Sequence, residues 1–269
     1  MSTDTLRALL DRPGLLRLPG VYDGLSARLA ERAGFPAAYV TGFGAAASRL
    51  GMPDLGLMSF KEMLDHVAAL ADAVAIPLVA DADTGYGGAR NVARTVRAFA
   101  KAGAAAVQIE DQAWPKRCGH TEGKRVVPRE EAVDRVKAAV DAAAGRALVV
   151  ARTDARATDG IEEALARGRA FAGAGADLVF VEAPRSREEL ARVGREAAPQ
   201  VVNVLEGGAT PVLTPEEYAA FGFRVAIYPL TLLYAAARAV RDRLAAFEPW
   251  DGPLDFTELR DTLGWFTEP

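Results

Sequence analysis

The chain contains one cysteine, two histidines and three tryptophans in 269 residues, and each scarcity narrows what it can be. A single thiol, Cys118, excludes an internal disulfide framework and any paired-cysteine metal site, as expected in a reducing cytoplasm. Long apolar runs are missing too. The most apolar tract, 225–237, is interrupted by Pro229 and is too short to span a bilayer. The first thirteen residues mix acidic, basic and apolar side chains and lack the basic and then apolar stretches of a secretory signal. No block of five like charges occurs and the formal net charge is -4, so electrostatics offers no reason to expect nucleic acid or an anionic membrane as partner. The expectation is a cytoplasmic protein acting on small molecules.

What is present is half hydrophobic and one quarter charged, enough for a full core and a solvated surface. Short β-branched or apolar runs alternate with Ala-, Arg- and Glu-rich stretches of helical period. Eight strands are expected at 15–21, 37–40, 78–82, 105–109, 147–151, 178–181, 201–205 and 225–228. Helices are expected at 25–33, 59–73, 89–102, 129–144, 161–172 and 187–197, several ending at a glycine such as Gly34, Gly103 or Gly145. Eight βα units most simply close into a (β/α)8 barrel. The alternative, a doubly wound open sheet, lacks its nucleotide-binding fingerprints, since neither GxGxxG after an early strand nor GxxxxGK[ST] occurs. The barrel is expected over 1–246. Residues 247–269 break the rhythm and carry Trp250, Phe256, Leu259, Leu263, Trp265 and Phe266, which reads as a helical tail packing on another subunit.

In such a barrel the residues just past each strand converge on one pocket. Here they are Tyr22, Asp23, Tyr39, Thr41, Asp81, Asp83, Glu110, Arg152, Glu182, Asn203 and Glu206. Asp81 and Asp83, spaced i, i+2, point to one side if the backbone is extended. With Glu110 they form an oxygen-only set suited to Mg2+ or Mn2+ and not to zinc. Asp83-Thr84-Gly85 also reads as a helix cap. Arg152, after an apolar strand, is suited to bidentate capture of a carboxylate, or to an internal ion pair with Glu182 or Asp154. Thr41-Gly42-Phe43-Gly44 offers backbone amides to an anion. Cys118 lies in Lys116-Arg117-Cys118-Gly119-His120, where two cations and a histidine are expected to favour the thiolate. His66, within 59–73, reads as an ordinary surface or interface residue.

These residues, in this order, resemble the isocitrate lyase and phosphoenolpyruvate mutase superfamily. The resemblance runs from Val21-Tyr22-Asp23 through Asp81-Ala82-Asp83-Thr84-Gly85 and the Cys118 block to Tyr228-Pro229-Leu230. It implies a barrel whose last helix is exchanged between subunits of a homotetramer. It implies Mg2+ on Asp81 and Asp83, with Glu110 through water. Tyr39, Thr41, Gly42, Arg152 and Asn203 would hold substrate oxygens, with Glu182 supporting the site and Asp54 beside it. Cys118, on a mobile loop with Lys116 and Gly119, would be the general acid, and Arg117 and His120 would support developing charge. The implied reaction is cleavage of a 2-hydroxydicarboxylate, of 2-alkylmalate or 2,3-dimethylmalate type, into a 2-oxo acid and a monocarboxylate. Methylisocitrate cleavage, oxaloacetate hydrolysis or decarboxylation and carboxyphosphonoenolpyruvate mutase chemistry are the alternatives, and a barrel that binds a metabolite without turnover is a different class of reading. Methylisocitrate lyases carry an arginine where this chain has Tyr234 and tend to an aromatic where it has Gly207, which favours the dimethylmalate lyase branch.

Overall fold

The computed structural model describes residues 2–121, 123–248, 252 and 254–264. Its strands are β1 (Leu16–Val21), β2 (Ala38–Val40), β3 (Leu78–Asp81), β4 (Ala106–Glu110), β5 (Leu148–Thr153), β6 (Leu178–Val181), β7 (Gln200–Asn203) and β8 (Phe223–Tyr228). Each pairs in parallel with the next, and β8 returns to β1 with Leu18 opposite Ile227, so the sheet closes into a barrel. The helices are α1 (Ser2–Asp11), α2 (Gly24–Arg32), α3 (Gly42–Ala45), α4 (Phe60–Ala73), α5 (Ala89–Lys101), α6 (Arg129–Ala143), α7 (Ala155–Thr158), α8 (Ile161–Gly173), α9 (Arg187–Gly194), α10 (Pro215–Phe221), α11 (Thr231–Ala245) and α12 (Phe256–Thr262). This is the (β/α)8 fold expected from the alternation.

Each outer helix turns one stripe to the sheet. In α5 the buried positions are Val92, Thr95, Val96 and Phe99, the i, i+3, i+4, i+7 face of a helix. In α4 the same stripe is Met63, His66, Val67 and Leu70. His66 is therefore in the core and not at the surface, because its position in the period, not its polarity, sets its direction. Burial holds its pKa down at about 4, with Arg49 adding to the effect, and Nε2 has no hydrogen-bond partner. Reciprocal caps fix the starts of α2 (Asp23 with Ser26), α4 (Ser59 with Glu62) and α10 (Thr214 with Glu217).

One helix absent from the sequence reading, α1, closes the barrel where the strands begin. Its Leu6 and Leu10 meet Leu18, Val79, Val150, Leu178 and Val225 inside the barrel. Arg224, at the start of β8, donates to the carbonyls of Leu10, Arg12 and Gly14, and the Thr3 hydroxyl donates to the Arg146 carbonyl just before β5. At the other end of the chain α11 buries none of its residues, and Val240, Leu244 and Phe247 are exposed. An apolar groove containing Leu25, Leu29, Phe35 and Leu232 runs between α2 and α11. Beyond it α12 packs on α2. Trp250, Trp265 and Phe266, named above for the tail, lie outside the described residues.

Candidate active site

Parallel strands put all their carboxyl ends at one rim, and there the polar residues of separate βα units meet. A narrow cleft is lined by Tyr39, Thr41, Asp54, Asp81, Cys118, Gly119, His120, Arg152, Glu182 and Asn203, with Leu205, Pro229 and Leu230 as an apolar wall. Tyr22, Asp23, Asp83, Glu110 and Glu206 from the strand-end series do not line it. Asp23 caps α2, and Glu206 accepts from the Thr231 hydroxyl at 2.7 Å. Tyr22 lines the apolar groove instead.

The acidic side is built on β3 and β4. Asp81 Oδ1 accepts from the Asp83 amide (3.1 Å) and from Gln108 Nε2 (3.3 Å), and Gln108 also donates to the Tyr39 hydroxyl (3.0 Å). Asp81 and Asp83 face one cavity, though not by strand alternation: the strand ends at Asp81, and Asp83 has φ +50. Nor does Asp83 cap a helix, since α5 starts later, after Gly88. A Cβ at Gly42 would lie 2.9 Å from Asp81 Oδ2, so only glycine lets this loop approach the carboxylates. The Gly42 and Phe43 amides begin α3 and have no partner within it.

Lys116 is almost wholly buried, pairs with Asp54, and lies 2.7 Å from Asp83 Oδ1. Burial nevertheless pushes Asp83 up to about 6 against the pull of Lys116. Burial raises Glu110 well above the usual carboxylate range as well. Its neighbour Arg152 stands 3.4 Å away but gives its Nε to Asp154 at 2.9 Å. Among the described residues no three carboxylate, imidazole or thiol groups converge as a direct metal cluster, and the Lys116 ammonium stands beside Asp54 and Asp83. The donor set still suits a hard divalent cation. It is oxygen-only, and Glu110 Oε1 is buried without a hydrogen-bond donor, which a cation's bound water would satisfy.

The opposite side is centred on Arg152, which pairs across the sheet with Glu110 in the β4–β5 register. Its guanidinium contacts Asp154 (2.9 and 3.1 Å) and Glu182 (3.1 Å), so both readings of this arginine hold: it is ion-paired and it faces the cleft. Burial opposes the charge on Glu182, but Arg152 and His120 together hold that carboxyl far below its ordinary value. His120 Nδ1 accepts from the Ala209 amide (3.1 Å), leaving Nε2–H to face Glu182 Oε1 (3.2 Å). Asn203 Nδ2 also approaches Glu182 (3.3 Å).

The segment carrying Cys118 is packed down over the cleft. Its first turn is clasped by Gln112, which donates to the Arg117 carbonyl and accepts from the Arg117 amide, both at 2.9 Å. Lys124 donates to the Gly119 carbonyl and to Asp154. The expectation of a thiolate is overturned. Burial raises the Cys118 pKa, and nearby Asp54 and Glu182 add to that, opposed by the His120 amide and Arg152. The sequence neighbours act elsewhere: Lys116 turns to Asp54 and Asp83, and Arg117 is exposed beside Gly123. Arg117 is therefore not brought to the cleft. Cys118 holds its proton, which suits a donor and not a nucleophile. Gln108, Lys124 and Asp154 were not expected as site residues. For Gln108 the signal was available, as a polar residue on the face of β4 that carries Glu110.

A (β/α)8 barrel with a carboxylate cluster, a buried arginine and a lidded thiol at its upper rim defines a class of small-molecule enzyme. Residues 6–248 match the family described as phosphoenolpyruvate phosphomutase. The chain is 44% identical over 269 residues to 2,3-dimethylmalate lyase of Eubacterium barkeri, covering 96% of this chain and 93% of that one. It superposes with a TM-score of 0.94 and 40% identity on oxaloacetate acetylhydrolase in complex with 3,3-difluorooxalacetate, covering 98% and 93% of the two chains. It matches phosphonopyruvate hydrolase in complex with oxalate and Mg2+ with a TM-score of 0.87 and 32% identity, covering 98% and 95%. The chain belongs to the isocitrate lyase/phosphoenolpyruvate mutase superfamily and is an enzyme of its lyase and mutase group. No helix among the described residues is long and apolar enough to cross a membrane.

Proposed function

We propose that the protein is a Mg2+-dependent carbon-carbon lyase that cleaves a 2-hydroxydicarboxylate, of 2-alkylmalate or 2,3-dimethylmalate type, into a 2-oxo acid and a monocarboxylate. The observation that carries this reading is that the Cys118 thiol lines one cleft with Asp81 and the buried Arg152, with burial pushing its pKa up. Asp81 and Asp83, with Glu110 through water, would hold the metal, whose charge lowers the pKa of the substrate's 2-hydroxyl and polarises the adjacent carboxylate.

The remaining work falls to side chains. Arg152, Asn203, Thr41 and the Gly42 amide hold substrate oxygens. Burial keeps Tyr39 protonated, so its hydroxyl, already accepting from Gln108, is free to donate to substrate. As the carbon-carbon bond breaks, the departing fragment gains charge at carbon, and Cys118 delivers its proton there. A positioned acid of this kind contributes about 10² to 10⁴ in rate. His120 and Glu182 fix the loop in register with Arg152. Lys116 and Asp54 tie the loop to the acidic side, Gly119 lets it descend, and Arg117 anchors it through its backbone.

The count of cations favours two carboxylates over three. Arg152 is the one arginine among the residues lining the cleft, and Arg238 on α11 is exposed and turned to Asp242. A third buried carboxylate would lack a counter-charge, at a cost of several kcal/mol, roughly 3 to 5. The bare surface of α11 supports assembly through that helix and the 247–269 tail, as a homotetramer.

The test is 2-oxo acid release from 2,3-dimethylmalate, 2-methylisocitrate, isocitrate and oxaloacetate, with and without Mg2+, for the wild type and Cys118→Ser. Mg2+-dependent pyruvate from dimethylmalate, lost in the variant, is the expected result. Turnover of oxaloacetate alone that survives the substitution would move the chain to the hydrolase or decarboxylase branch.

A further inference from the structure

The loop that carries Cys118 is held at both ends by a buried ammonium group. Lys116, before the cysteine, goes to the acidic side of the cleft. Lys124, after it, is 8% exposed and donates to two acceptors among the described residues: the Gly119 carbonyl, immediately beyond the cysteine, and Asp154 Oδ1 at 2.8 Å. Asp154 is fully buried and also receives Arg152 through Nε (2.9 Å) and Nη2 (3.1 Å). Asp154 is itself fixed from behind. Its amide donates to Asp111 (2.9 Å), a carboxylate that also takes the Thr153 hydroxyl (2.6 Å) and Arg167 (3.1 Å).

We propose that Lys124 is a positioning residue for the proton donor, a latch that ties the Gly119 carbonyl to Asp154 and so sets Cys118 in register with Arg152. One carboxylate thereby aligns two groups: the guanidinium that faces the cleft and the loop that brings the thiol. An ammonium suits this place because it can direct separate N–H bonds to a carbonyl and a carboxylate at once. The loop is otherwise held by Lys116 on the acidic side, by Gln112 at its start, by His120 near its middle and by backbone bonds at Arg125 and Val127 on its return, so loss of Lys124 frees the stretch at Gly119, next to the cysteine, while the fold beneath stays paired. Asp154 keeps two bonds from Arg152 in that case.

The role in proton delivery rests on the lyase reading, but the latch can be read without any substrate. Cys118 is the only thiol in the chain, so alkylation by iodoacetamide reports this loop alone. The reaction rate follows access and thiolate fraction at a fixed pH. In Lys124→Met, with circular dichroism and melting temperature near wild type, Cys118 is expected to react about tenfold faster or more. An unchanged alkylation rate in the folded variant overturns the proposal. If Lys124→Met does not fold, Lys124→Gln, which retains a donor on a shorter stem, is judged by the same rise or its absence.

Turnover separates the two claims. With the lyase reading correct, Lys124→Met lowers kcat at least tenfold while KM moves less than about threefold, because the latch acts on the acid and not on carboxylate binding. Faster alkylation with no turnover of any 2-hydroxy acid by the wild type removes the function and leaves the latch. Wild-type turnover with unmoved alkylation removes the latch and leaves the function.

Discussion

The α-carbon of Gly119 rests against the guanidinium of Arg152: a methyl group added there would overlap Nη2 and come within 2.7 Å of Glu182 Oε2. Neither neighbour can move away cheaply, since Arg152 and Glu182 are buried and paired with each other. Gly119→Ala therefore lifts the loop. Steady-state kinetics should show kcat reduced by about 10² or more, the scale of losing a positioned acid. The melting temperature should stay within a few degrees, since the barrel beneath is untouched.

Metal binding should be visible without catalysis. A cation that binds only the folded chain, at a hundred times its Kd, stabilises by about 2.7 kcal/mol. For a chain of this length that corresponds to a melting shift of about 5 to 10 °C. Mg2+ after chelator treatment should produce it by calorimetry, and Asp81→Asn should abolish it. A full shift in the variant would place the cation elsewhere.

His66 should make stability depend on pH in a particular window. Its folded pKa is about 4, against 6.5 for the free side chain. Above pH 6.5 it is uncharged in both states and contributes nothing. As pH falls, the unfolded chain takes up a proton that the folded chain refuses, so stability drops, by about 2 kcal/mol at pH 5. The nearby charges are Arg49, which deepens the shift, and Asp23, which opposes it. Urea midpoints at pH 7 and pH 5 should differ less in His66→Leu than in the wild type.

Burial raises the pKa of Tyr234, which lies within electrostatic reach of Cys118 and Glu206. Tyr234→Arg would put a guanidinium there. The ratio of kcat/KM for 2-methylisocitrate over 2,3-dimethylmalate should rise tenfold or more, the scale of pairing one carboxylate. An unchanged ratio would mean that residue 234 does not reach the substrate.

The sequence revealed the barrel because buried parallel strands and amphipathic helices have different periods, and both recur in order. All eight strands fall within two residues of expectation. The site was legible where chemistry follows strand ends, as at Thr41, Asp81, Arg152 and Asn203. It was less legible where side-chain direction matters. Lys116 and Arg117 are adjacent, yet one is buried in the acidic cluster and the other is exposed. Local composition around Cys118 suggested a thiolate because it counted cations without their directions. Distant Asp54 and Glu182 and the burial of the loop decide the proton instead. Two helices did leave readable signals: Thr214-Pro215-Glu216-Glu217 is a capping box with proline at the first turn, and Leu6, Leu9 and Leu10 in α1 share one face.

That first helix has a consequence for traffic. With Leu6 and Leu10 closing the strand origins, the cleft opens at the opposite rim, under the Cys118 loop. On the proposed lyase reading, both fragments would therefore have to leave past that loop.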